Sequence, residues 1–283
     1  MTGTTKGDGT SLDISGEKIH WDQKMSYGQY LGLETLLSAQ NPVTQEHDEM
    51  LFIVIHQASE LWMKLSIHEL QGAIKCIQDD ELGQAFKMIA RISRIQTQLL
   101  QSWEVLATMT PFDYLKFRDD LGQSSGFQSY QYRMLEFALG NKSAPLVKVH
   151  EAHPDIHNWL EGALNAPSLY DEALMLLARR GFAVPSDIID RDWSKPYAFS
   201  DDVEQVWLSI YRNAEEHWDV YELAEKLMDL EYRFQQWRFA HLKTVERIIG
   251  MKRGTGGSSG VNYLQKALDM KFFPELWALR TKL

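Results

Sequence analysis

Cysteine occurs once, as Cys76, so no disulfide can close within the chain, which fits a reducing compartment. Long apolar runs are absent: none exceeds six residues, as in Met50 to Ile55, against the roughly 18 that a membrane-spanning helix needs. There is no dense basic block, and 39 acidic residues against 29 basic ones leave a net charge of −10. Nucleic acid and anionic membranes are therefore not expected as partners. The opening stretch, MTGTTKGDGTSLDISGEK, has no apolar segment. It reads as a flexible polar tail over residues 1–22 and not as a targeting peptide, and the chain is expected in the cytoplasm. Alternating strand patterns and internal repeats are also missing. Prolines number only eight, and five of them fall between Lys142 and Ser200.

What remains is helical periodicity and many flat rings, nine Trp and twelve Phe. Ser26 is placed to cap a helix through YGQYLGLETLLSAQ, which ends at Asn41-Pro42. His47 to Gln78 reads as a long helix with Asp48 and Glu49 in its first turn. Gly83 to Met109 reads as another, striped by Phe86, Ile89, Ile92, Ile95, Leu99, Trp103 and Leu106. Thr110 then caps a short helix that opens on Pro111. After LGQSSG comes FQSYQYRMLEFALG, stopped at Gly140, and from Asp202 to Ile249 the pattern is helical again, as more than one helix. The expectation is an all-α protein. A single domain spans 23–283, and residues 142–200 form a smaller peripheral helical excursion.

Several residue groups can carry chemistry. The loop MKRGTGGSSG looks like a phosphate cradle, but no lysine follows its glycines and a helix, not a strand, precedes it. It is then either a flexible connector or a ligand lid, with Thr255 as its hydrogen-bonding side chain. Phe234, Trp237, His241, Val245 and Ile248 share one helix face. His241 there is either an ordinary core histidine or the axial ligand of a flat macrocycle. His56, at the end of the most apolar segment, carries the same two readings. Arg118, four residues after Tyr114, lies among Phe112, Leu115 and Phe117. It needs either an internal partner (Asp119, Asp120 or Glu60) or a ligand carboxylate. His150, His153 and His157 fall within HEAHPDIH, but Pro154 breaks their alignment and a solvated loop is expected. On residues alone, a haem or small-ligand pocket, a haem carrier and a haem-free interaction protein all stay open.

The strings HDEMLFIVIHQASELWMKL, FRDDLGQSSGFQSYQYRMLEF, LMDLEYRFQQWRFAHLKTVERIIGMKRGTGGSSGVNYL and FFPELWALRT together resemble the tryptophan 2,3-dioxygenase family, in order, from about Tyr27 to Thr281. The resemblance implies a helical bundle around a haem pocket. It also implies haem b, ferrous for activity, and cleavage of L-tryptophan by O2 to N-formyl-L-kynurenine. In this likeness His241 matches the axial ligand of the haem iron and His56 the distal histidine beside the indole nitrogen. Phe52 matches a wall for the indole. Arg118 and Thr255 match the residues that hold the substrate's carboxylate and ammonium. Tyr114, Ser125, Gly126 and Trp103 match residues beside the haem. Tyr27, Tyr30 and Leu31 match a helix donated to a neighbour's active site in a homotetramer.

Overall fold

A computed structural model of the chain describes residues 10–21 and 25–283. Two compact units are found, one ending at Val43 and one running from Thr44 to Leu283. In the first unit, strands β1 (Thr10–Ile14) and β2 (Glu17–Trp21) pair antiparallel, with Leu12 opposite Ile19. This hairpin departs from the reading that strand patterns are missing; residues 1–9 and 22 of the expected polar tail lie outside the described residues. The turn uses Ser15 and Gly16 at φ 55° and 86°, the left-handed pair that a two-residue hairpin needs. Helices α1 (Tyr27–Leu31) and α2 (Leu33–Leu37) follow. Ser26 caps α1 as expected, its hydroxyl accepting from the Gln29 amide. The single helix expected here is broken at Gly32, whose φ of 61° ends α1.

The second unit is helical throughout, so the all-α expectation holds apart from the hairpin. Its first elements are α3 (His47–Gln78), α4 (Leu82–Leu106), α5 (Pro111–Phe117) and α6 (Tyr130–Ala138). Next come α7 (Ala144–Val147), α8 (Pro154–Asn165), α9 (Leu169–Arg179) and α10 (Ser186–Ile189). The chain closes with α11 (Asp201–Arg212), α12 (Trp218–Ile249), α13 (Val261–Leu268) and α14 (Pro274–Ala278). α4 packs against both α3 and α12. Its stripe of Ile89, Ile92, Ile95, Leu99, Trp103 and Leu106 is buried, each side chain contributing about 1.5–3 kcal/mol. Thr110 caps α5 as read, and Gly140, at φ +110°, ends the α6 segment.

The segment 142–200 is peripheral only in part. α7 and α8 close a small separate cluster of Phe137, Val147, Leu160 and Leu164. Lys142 is buried there and donates to the Ala163 and Ala166 carbonyls at 2.6 and 2.7 Å, satisfying the end of α8. Burial pushes its pKa down to about 8. α9, by contrast, runs through the main core: Leu169, Tyr170, Ala173, Leu176 and Leu177 have no exposed surface. Five prolines cut this stretch into short pieces, which hid that burial from periodicity. His150 also departs from the solvated-loop reading. It is buried, while His153 is exposed at the start of α8.

Glu275 ties α9, α11 and the C-terminal helix together. Its carboxylate accepts from the Tyr170 and Tyr197 hydroxyls at 2.8 and 2.9 Å and from the Ser200 amide at 2.7 Å. Tyr170 in turn accepts from Trp207 Nε1 at 3.0 Å. Glu275→Ala strands three donors at once, so urea unfolding should register a loss of on the order of 3 kcal/mol, with Glu275→Gln losing less. A loss below about 1 kcal/mol in Glu275→Ala would mean that the network adds little to stability.

Candidate functional site

α3, α4 and α12 meet around a cavity of ≈ 240 Å³. α3 faces it with Phe52, His56 and Glu60, spaced four apart on one face of a continuous helix. α4 contributes Trp103 and Leu106, and α12 contributes Trp237, His241 and Val245. The rings are in mutual contact. Trp103 lies parallel to His241, with ring centroids 4.5 Å apart and planes 7° apart, and is nearly perpendicular to the His56 ring at 6.4 Å. Trp237 flanks His241 at 5.7 Å and Trp103 at 6.0 Å. Phe52 packs on His56 at 4.2 Å and near Tyr114 at 5.9 Å. The two histidines singled out from sequence thus stand at one cavity, on two helices separated by α4.

Both imidazoles are held neutral. Burial pushes the pKa of His241 down to about 4, helped by repulsion from His56. His241 is partly buried and lines the cavity. Burial also lowers the pKa of His56, against the opposing pull of the Phe52 carbonyl and of Glu60. His56 Nδ1 lies 2.7 Å from the Phe52 carbonyl oxygen. A carbonyl can only accept, so Nδ1 carries the proton and donates, which leaves Nε2 as a bare acceptor. Glu60 is not the partner of Arg118. It accepts instead from Gln131 Nε2 at 2.8 Å.

The far wall is built by two loops that lock together. Ser125 caps the short turn Gly126–Gln128 through a reciprocal bond with Gln128. Thr255 Oγ1 donates to the Ser124 carbonyl at 2.5 Å, joining the glycine loop to this turn. Gly256 is required by the contact: a Cβ there would lie 2.7 Å from Ser125 Cβ. At Gly260 the φ is +62°, and a Cβ would lie 2.6 Å from the Lys252 carbonyl oxygen. Ser125, Gly126, Thr255 and Tyr114 all line the cavity. Tyr114 is buried beside Arg118; burial raises its phenol pKa and the guanidinium opposes that rise.

Arg118 itself is not in the cavity wall. Its Nη2 donates to the Arg253 carbonyl at 2.8 Å, its Nη1 lies 3.6 Å from Asp119, and its buried Nε has no partner among the described residues. Tyr27, Tyr30 and Leu31 belong to the first unit and are exposed. Sequence reasoning missed the charged part of the wall, Arg133, Glu136 and Arg238, all buried. The available signal was spacing: Arg133 and Glu136 sit three apart on a short apolar helix, and Arg238 sits three before His241 on an aromatic face.

Comparison with known proteins gives a consistent result. The family model described as Tryptophan 2,3-dioxygenase matches residues 14–283. A tryptophan 2,3-dioxygenase of Bacillus cereus (strain ZK / E33L) is 58% identical over 272 residues, covering 95% of this chain and 98% of the relative. Tryptophan 2,3-dioxygenase 1 of Ralstonia nicotianae is 56% identical over 266 residues, covering 94% and 90%. The tryptophan 2,3-dioxygenase of Cupriavidus necator is 57% identical over 268 residues, covering 95% and 91%.

The buried imidazoles make a pH prediction for the ligand-free chain. In the unfolded chain each histidine protonates near 6.5, whereas folded His241 resists protonation until about 4. The unfolded state therefore binds more protons as pH falls through that window, and stability falls with it. Between pH 7 and 5 the His241 contribution amounts to ~1–2 kcal/mol. Urea unfolding of the ligand-free chain should lose that much more than His241→Leu does; equal losses would contradict the neutral, buried imidazole.

Proposed function

The chain belongs to the tryptophan 2,3-dioxygenase family, and on that premise we propose how its own side chains serve the reaction. The enzyme is an oxidoreductase that inserts both atoms of O2 into L-tryptophan. It opens the indole C2–C3 bond to give N-formyl-L-kynurenine, the first step of tryptophan degradation by the kynurenine pathway.

The cofactor in this reading is haem b, whose iron His241 would hold. The observation that carries it is the neutral His241 imidazole, turned into an aromatic cavity with Trp103 stacked against it. Haem iron asks for one or two protein ligands, where a bare structural metal ion asks for about four. No group of three His, Cys, Asp or Glu side chains suited to a bare ion occurs among the described residues. The Nε1 atoms of Trp103 and Trp237 are buried without partners in the same wall. This donor set suits a flat macrocycle, and Trp103, Tyr114 and Ser125 are its further contacts in this reading. When bound, ferrous haem would supply the redox chemistry that O2 activation needs.

The remaining tasks fall to the protein. His56, with Nδ1–H committed to the Phe52 carbonyl, offers Nε2 as an acceptor for the indole N–H. It positions the ring against Phe52, in an environment that keeps the imidazole neutral. Arg118 grips the substrate carboxylate by exchanging the Arg253 carbonyl for it, since a carboxylate matches the guanidinium fork better than one carbonyl does. Thr255 serves the ammonium and carboxylate, and Ser125 and Gly126 close the neighbouring wall. A cytoplasmic homotetramer completes the proposal, with Tyr27, Tyr30 and Leu31 contributing to a neighbour's site. In support, Tyr27 and Tyr30 are 76% and 75% exposed, and no helix among the described residues is long and apolar enough to cross a membrane.

The deciding experiment mixes the reduced, haem-loaded protein with L-tryptophan in air and measures N-formylkynurenine. A Soret band without product would reduce the protein to a haem carrier. His241→Ala should lose the normal haem spectrum. Arg118→Ala should raise KM for tryptophan about 10- to 100-fold, with the haem spectrum unchanged; an unchanged KM would remove Arg118 from the substrate site. His56→Ala should lower kcat yet retain residual turnover. Complete loss would instead assign His56 an obligatory proton transfer.

A further inference from the structure

The cavity wall holds three buried charges. Glu136 is saturated: it accepts from Arg133 Nη1 at 2.5 Å, Arg238 Nη2 at 2.9 Å and Asn141 Nδ2 at 3.1 Å. Arg238 is saturated too, donating also to the Tyr132 hydroxyl and to the Ala267 and Met270 carbonyls. Arg133 is not. It is 3% exposed, yet its Nε has no partner among the described residues. Its Nη2 reaches the Phe127 carbonyl only at 3.5 Å, the outer limit of a hydrogen bond.

Nε and Nη2 together form the side-on edge of a guanidinium, two parallel N–H donors spaced for the two oxygens of a carboxylate. The opposite corner is fixed by Glu136, and Phe127 and Tyr132 face the guanidinium at 5.1 and 5.0 Å. These contacts hold the plane in one orientation. Glu136 is the carboxylate acting on Arg133. The buried carboxylate of Glu231 acts on Arg238 instead and is engaged by the Phe272 and Phe273 amides. A buried cation with an unfilled donor edge costs free energy that an incoming carboxylate recovers.

We propose that the side-on edge of Arg133 is a carboxylate site of this cavity, and that it takes a propionate side chain of the cofactor. The proposal rests on the haem reading above. The substrate's own α-carboxylate has the same chemistry, but that reading gives it Arg118. The Arg133 Nε–H is closed to water, so seating an oxygen there takes a local shift of the side chains around that edge.

The test compares wild type, Arg133→Gln and Arg133→Lys, each loaded with protohaem or with its dimethyl ester, which has no carboxylates. The readout is the rate of haem loss to an excess of a haem-scavenging apoprotein, followed at the Soret band. In wild type the ester should leave faster by on the order of tenfold or more, the worth of one charge-assisted hydrogen bond. Arg133→Gln should lose protohaem about that much faster, and in it the ester should bring no comparable further acceleration. Arg133→Lys, which keeps the charge but not the fork, should fall between. Tryptophan and tryptamine affinities, read from the Soret shift, separate the two carboxylate sources. Unchanged haem loss with weaker tryptophan but unaltered tryptamine binding would transfer the site to the substrate and overturn the proposal. An ester effect that persists undiminished in Arg133→Gln would also overturn it, by reducing Arg133 to a partner of Glu136. A wild-type chain that binds no haem would instead defeat the cofactor reading itself.

Discussion

The packing of α4 between α3 and α12 is the constraint on which the site depends. Its apolar stripe fixes how far apart the two long helices stand, and so how far His56 is from His241. Trp103, near the end of that stripe, does two jobs at once: it stacks on His241 and stands nearly perpendicular to His56. The cavity is therefore not a gap left by poor packing. It is the place where the core's ring-lined interface opens, and its walls are core residues continued. Shortening the stripe side chains would alter the spacing of the histidines as well as stability, because close-packed interiors transmit such changes.

Burial then sets the chemistry. A solvent-excluded wall of Trp, Phe and Tyr cannot support charged imidazoles, so both histidines are kept as neutral bases. The one strong local bond to His56, from Nδ1 to the backbone of its own helix, fixes which nitrogen faces the cavity. Glu60, one turn beyond His56, is bound to Gln131, and the main group of charges lies in another part of the wall, where Arg133, Glu136 and Arg238 offset one another. Neutral bases on one part of the wall and paired ions on another give an asymmetric cavity. An apolar, flat ligand with polar edges can bind there in few orientations.

Much of this was legible in the sequence. The bounds of α3, the caps at Ser26 and Thr110, the stripe of α4 and the shared face of Trp237 and His241 all follow from spacing and capping chemistry. The hairpin was not read, although Ser15-Gly16 between short alternating segments is a turn signal, because it is brief and lies in a polar stretch. α9 escaped because prolines interrupt the periodicity around it. Arg118 was placed correctly on the face of Tyr114, but its hydrogen bond to a carbonyl 135 residues away is a tertiary contact with no local trace. The same holds for Glu136, whose two arginines come from its own helix and from α12.

The glycine loop shows most clearly how composition turns into function. Its glycines do not cradle a phosphate; they let backbone reach where side chains cannot. Gly256 allows contact with Ser125, Gly260 allows the chain to turn back beneath Lys252, and together they bring Thr255 to Ser124 and the Arg253 carbonyl to Arg118. Two of the polar groups in the proposed amino-acid grip are thereby hydrogen-bonded to loop or turn backbone. A ligand carboxylate that draws Arg118 away from Arg253 removes one polar tie between the loop and the body of the protein, and Thr255 supplies another among the described residues. Substrate binding and loop position are linked through these two side chains. The linkage is reciprocal, because any free energy by which the loop holds Arg118 is subtracted from the affinity for the carboxylate that replaces it.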